Sequence, residues 1–155
     1  MFLMMRAELF TELFTQENKM KKITISLFFI SAFTIFLFAQ TSKSSAENGK
    51  KLYEQYCLTC HQADGSGVPK LNPPLIKTSY VTGDKKKLIQ WVLRGTVEKV
   101  PIDGKTYSNN MPSQANLKDK EIADILTYIR SSFGNKASAI TATDVKNVRA
   151  VTKLN

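Results

Sequence analysis

The chain is short of residues that bind metals or cross-link proteins: its 155 residues include two cysteines and one histidine. A structural zinc site needs four ligands, usually a second Cys or His pair, and none is available. A thioredoxin-type redox pair would sit in a βαβ unit. No strand-length alternating run and no internal repeat is present to build one. Acidic residues are also scarce, 13 against 22 Lys and Arg, for a formal net charge of +9. Beyond residue 45 a single methionine remains, Met111.

The few cysteine and histidine residues stand together in Cys57-Leu58-Thr59-Cys60-His61. This is the attachment pattern of a c-type haem. Two thiols at this spacing each add to one vinyl group, and the histidine directly after them binds the iron from one face. A single covalent haem c is therefore the expected cofactor, with His61 as one metal ligand. The open axial site calls for a second ligand, and Met111 in Ser108-Asn109-Asn110-Met111-Pro112 is the candidate. A thioether is a soft, neutral donor that favours reduced iron and suits an electron carrier. Pro112 stiffens the loop at that point.

The N-terminal segment reads as export machinery. Met20-Lys21-Lys22 is a basic start, followed by a charge-free apolar run of 17 residues from Ile23 to Ala39. Residues 20–45 are assigned as an export signal, with cleavage after Ala46 favoured by small residues at Ser44 and Ala46. An uncleaved membrane anchor is the alternative, since 17 residues is the lower limit for a span. Residues 1–19 are read as an upstream extension foreign to the mature protein, with translation starting at Met20. Either way the haem domain is delivered outside the cytoplasm, to the periplasm.

Residues 46–155 hold 17 Lys and Arg against 10 Asp and Glu, a net charge of +7. Export excludes nucleic acid as the basic chain's partner, leaving acidic redox proteins or an anionic membrane surface. A helix over Glu47 to Tyr56 leads into Cys57, and the glycines and prolines of residues 64–74 then read as loop. Asp84 caps and Gly95 stops a helix carrying Leu88, Trp91 and Val92. Lys85 to Lys87 oppose that helix's dipole, so they have no evident stabilising use there. Residues 97–112 read as irregular, with a turn at Asp103-Gly104. Ile122, Ile125, Leu126, Ile129 and Phe133 form an amphipathic stripe capped by Asn116 and ended by Gly134-Asn135. A short last helix is expected behind Thr143-Asp144, carrying Val145, Val148 and Val151. The fold class is all-α, with a domain over 46–135 and a C-terminal extension over 136–155.

The stretch Ala46 to Asn135 resembles class I cytochromes c. The resemblance rests on the haem motif, on Gln62 to Pro69, on Pro73-Pro74-Leu75, on Tyr107 to Pro112 and on the closing helix Glu121 to Arg130. It implies that the carbonyl of Pro73 or Pro74 takes the free ring nitrogen of His61, and that Leu75 packs on the haem. It also implies that the first and last helices cross through Gly49, Tyr53 and Tyr128. The expected function is mono-haem electron transfer, with lysines such as Lys70, Lys77 and Lys85 to Lys87 steering acidic partners. One alternative is a cytochrome subunit docked to a periplasmic dehydrogenase or reductase. The other is a small haem peroxidase, which Met111 and the lack of a second histidine oppose.

Overall fold

The computed structural model describes residues 44–97 and 99–153. The upstream extension and almost all of the export segment, residues 1–43, lie outside the described residues. Six helices and one hairpin follow: α1 (residues 44–56), α2 (Leu58–His61), α3 (Ser79–Thr82), α4 (Lys85–Arg94), β1 (Val100–Ile102), β2 (Lys105–Tyr107), α5 (Asp119–Ser131) and α6 (Ala142–Val151). Among the described residues no helix is long and apolar enough to cross a membrane.

Helix α5 is the axis of the domain. Ile122, Ala123, Ile125, Leu126 and Ile129 are all buried, and burial extends beyond this apolar face to the polar side chains of Asp124, Thr127 and Arg130. Its start differs from the expected one. The N-cap is Lys118 and not Asn116, because Glu121 reaches back to accept the Lys118 N–H at 2.8 Å and supplies the capping bond from inside the first turn. Its end is also earlier: the helix stops at Ser131, and Phe133 and Gly134 both take positive φ, 56° and 74°. Phe133 thereby leaves the helical stripe and stacks with Tyr53 and Tyr128, ring centroids 5.5 and 5.6 Å away.

Helix α1 crosses α5 at Gly49. A Cβ there would overlap the Asp124 carbonyl and stand 2.9 Å from Tyr128 Cβ, so only glycine permits this approach. Asp124, fully buried, accepts from Ser45 Oγ and from Asn48 Nδ2 at 2.7 Å, which ties the two helices beside the crossing. Cleavage after Ala46 would remove the first of these partners. Gly49→Ala is expected to destabilise the holoprotein. Overpacking costs about 1–3 kcal/mol and more where backbone is struck, against about 1 kcal/mol gained in helix propensity. Chemical denaturation followed by circular dichroism measures the difference, and a variant more stable than the native protein would contradict so close a crossing.

Helix α4 has the expected ends. Asp84 Oδ1 accepts from Lys86 N at 2.7 Å and Lys87 N at 3.2 Å, and Gly95 closes the helix at φ 69°. The lysine triplet is not uniform, however. Lys85 is half-buried and its Nζ donates to Ala139 O at 2.5 Å, fastening the segment between α5 and α6, so one of the three does serve stability. Residues 97–112, expected to be irregular, contain the hairpin β1–β2, with Val100 opposite Tyr107 and Ile102 opposite Lys105. Its turn is the anticipated Asp103-Gly104, with φ 48° and 78°, the left-handed pair of a two-residue hairpin loop. The domain is thus mostly helical with one small sheet.

Helix α6 packs against α4 and α5 through Val145 and Val148, while Val151 is 67% exposed. Thr141 and Asp144 form its capping box. Arg149 binds Asp119 Oδ1 at 2.7 Å and the carbonyls of Ala115 and Leu117, both at 2.7 Å, so α6 holds the approach to α5.

Candidate functional site

Helix α1 ends where the cysteine motif begins, and α2 carries Leu58 to His61 as a single turn. Gln62 then takes φ 64° and turns the chain away, its carbonyl accepting Tyr53 Oη at 2.6 Å. Cys57 is partly buried, Cys60 is exposed, and no disulfide joins them. Burial, with Cys60 beside it, pushes the Cys57 thiol up to about 11. His61 Nδ1 lies 3.0 Å from Pro73 O. An imidazole nitrogen facing a carbonyl carries the proton, which leaves Nε2 as the free lone pair. Burial lowers the His61 pKa below its ordinary value, while the Pro73 hydrogen bond acts in the opposite sense. A ring that loses its proton more readily is neutral at neutral pH, the form a metal requires.

The residues singled out in the sequence meet around one cleft of about 1210 Å³, open mouth included. Cys57, Cys60 and His61 line one side, joined by Pro73, Pro74 and Leu75. Met111 and Pro112 line it from the loop after the hairpin. Trp91 and Val92 of α4, Ile125 and Ile129 of α5, and Val100, Ile102 and Tyr107 of the hairpin complete walls that are almost wholly apolar. Cofactor sites are typically concave and mostly apolar with a few placed polar groups, and this cleft has that character. Two thiols, one unprotonated imidazole nitrogen, one thioether and dry walls are the donor set and surroundings that a covalent haem needs.

Several residues that shape this cleft carry no sequence signature. Asn135, 4% exposed, accepts from Lys77 N at 2.7 Å and donates to Leu75 O at 2.9 Å and Ile129 O at 2.8 Å, so it pins the Pro73–Leu75 wall to the end of α5. Arg130, 3% exposed, donates to the carbonyls of Val81 at 2.6 Å, Gly83 at 3.1 Å and Ser138 at 2.8 Å. Burial among these carbonyls lowers its pKa from the usual guanidinium value. Arg130 sets the position of α3, from which Tyr80 stacks on Trp91 with centroids 4.6 Å apart, both rings lining the cleft. Ser108 N and Asn109 N donate to Lys70 O and Leu71 O, each at 3.0 Å, and bind the Met111 loop to the loop that follows the motif.

Comparison with known proteins agrees with this architecture. The Cytochrome c family model matches residues 46–133. Cytochrome c-552 of Thermus thermophilus is 35% identical over 112 residues, covering 66% of this chain and 85% of that protein. The cytochrome c subunit of the alcohol dehydrogenase (quinone) of Gluconacetobacter polyoxogenes is 35% identical over 104 residues, 65% of this chain but only 22% of that subunit. The gluconate 2-dehydrogenase cytochrome c subunit of Pantoea cypripedii is 34% identical over 109 residues, 24% of its length. Helix α6 lies beyond the segment that the family model matches. With the motif at Cys57 and Cys60, the cleft behind it and these relatives, the chain belongs to the cytochrome c family, carries covalently attached haem c and serves in electron transfer.

Proposed function

We propose that this protein is an exported, periplasmic mono-haem electron carrier whose haem is anchored by Cys57 and Cys60 and ligated axially by His61 and Met111. The observation that carries the proposal is the hydrogen bond between His61 Nδ1 and Pro73 O, in a cleft that Met111 also lines. When bound, the haem iron supplies the Fe(II)/Fe(III) couple. The protein's residues do the rest. Pro73 orients His61 and raises its basicity. Met111 offers a neutral sulfur that favours the reduced metal. The apolar walls exclude water, so a change of charge reorganises little around it. With His61 and Met111 both holding the metal, no substrate would reach it, and the protein would act as a carrier and not as an enzyme. The test is the weak near-infrared charge-transfer band of methionine ligation, present in the oxidised protein and lost in Met111→Ala. A band that survives the substitution refutes the axial assignment.

Docking to partners is electrostatic. Lys70, Lys99 and Lys105 rim a groove that shares Asn72, Pro74 and Tyr107 with the haem cleft, so positive charge borders the port through which electrons leave. Lys86 and Lys87 are exposed on α4, outside both linings, and Lys85 is committed to Ala139. The second-order rate with an acidic redox partner is expected to fall as salt rises, since the Debye length is about 8 Å at physiological ionic strength. Lys70→Gln with Lys105→Gln is expected to lower the low-salt rate roughly threefold or more, and Lys86→Gln with Lys87→Gln less. A flat salt profile with equal rates in all forms would mean apolar docking or permanent assembly. The second outcome is the docked-subunit reading, which the dehydrogenase cytochrome subunits among the relatives favour.

A further inference from the structure

The loop that presents Met111 is strapped onto the end of α4 by four bonds. Thr96 N donates to Met111 O at 2.9 Å, and Thr96 Oγ1 accepts from Met111 N at 3.0 Å. Farther along, Ser113 Oγ donates to Leu93 O at 2.6 Å and Gln114 N to Val92 O at 2.9 Å. Gly95, at φ 69°, makes the approach feasible, because a Cβ there would stand 2.7 Å from Ser113 N and 2.9 Å from Pro112 C. Both polar groups of the Met111 backbone are therefore held by one residue. Only one of the two bonds depends on a side chain. The Met111 N–H fixes the peptide plane from which the side chain leaves toward the cleft, and its acceptor is the Thr96 hydroxyl.

We infer that Thr96 is a positioning residue for the axial methionine: its hydroxyl clamps the Met111 amide and so keeps the thioether sulfur on the metal. The inference rests on the reading that Met111 is the sixth ligand. Thr96→Val keeps the shape and removes the acceptor, whereas Thr96→Ser keeps the acceptor. Carbon monoxide capture by the reduced holoprotein, the midpoint potential and the pH at which the near-infrared band disappears are read in each. In Thr96→Val, capture is expected to rise roughly three- to tenfold, the change one hydrogen bond makes to an equilibrium. The band should vanish at lower pH and the potential should fall. Thr96→Ser should stay within about twofold of native, the hydroxyl that bonds being retained. Equal capture, band and potential in native and Thr96→Val overturn the inference, and so does an equal loss of thermal stability in both variants with capture unchanged. A native protein with no band to lose, insensitive to Met111→Ala, refutes the ligand reading instead. If Thr96→Val does not accumulate, the native Met111 amide decides: slow hydrogen exchange supports the clamp, and exchange at the rate of an open loop overturns it.

Discussion

Replacing Cys57 and Cys60 together with alanine is expected to leave the protein without covalent haem and to unfold it. The mass of the matured double variant should match the polypeptide alone, where the native protein carries one haem. The loss extends to the fold because the cleft of about 1210 Å³ lies in the middle of a domain of modest size. Chains this small bury too little surface to tolerate a large central void. Without haem the apolar walls formed by Leu88, Trp91, Val92, Ile125 and Leu126 face water instead of packing, a loss of about 25 cal/mol for each Å² of apolar surface left wet, against a usual stability margin of about 5–15 kcal/mol. Far-UV circular dichroism of the double variant should show loss of most helix, and limited proteolysis should digest it. Either single variant should keep one thioether and a weakened fold. A double variant that retains covalent haem would refute the role assigned to these thiols.

Met111→Ala is expected to lower the midpoint potential by on the order of 0.1 V or more, a fraction of the roughly 0.8 V that axial ligands span. With Met111 as the proposed sixth ligand, its removal would take away the neutral sulfur that favours the reduced state and would let water reach the metal, which favours the oxidised state. The same opening should speed carbon monoxide binding, expected to be slow in the native protein, and raise peroxide turnover, expected to be negligible in the native protein. Pro73, which bonds His61 from the opposite wall, is untouched by the change, so the haem should stay attached. Potentiometry and carbon monoxide mixing read the two effects independently. Rapid carbon monoxide binding and peroxide turnover by the native protein would favour the enzyme reading over the carrier.

What the sequence disclosed follows from where each signal resides. The haem motif is five consecutive residues, and α4 has its cap at Asp84 and its stop at Gly95, so both features are written locally. The hairpin is not, because three-residue strands are too short to show alternation and Pro101 interrupts the first. Only its turn residues were readable. At α5 the capping oxygen belongs to Glu121, three residues inside the helix, and Asn116 is a plausible acceptor two residues too early in the chain. Thr96, Arg130 and Asn135 act on backbone groups of distant segments, with Arg130 reaching Val81 across 49 positions and Asn135 reaching Leu75 across 60. A backbone carbonyl has no residue type, so such pairings leave no trace in composition or spacing. The residues that line the candidate site were legible, and their supports were not.

The crossing of α1 with α5 also sets an order of events in maturation. Asp124 meets Ser45 across 79 positions and Asn48 across 76, and the Tyr53 ring finds Tyr128 and Phe133 only at the far end of the domain. Contacts so distant along the chain form late. Cys57 to His61 lie about 70 positions ahead of these partners, so a chain exported N-terminus first would present the two thiols unpacked before the closing helix arrives. Attachment of the haem can thus precede closure of the fold, with the cleft assembling around a group already tethered to it.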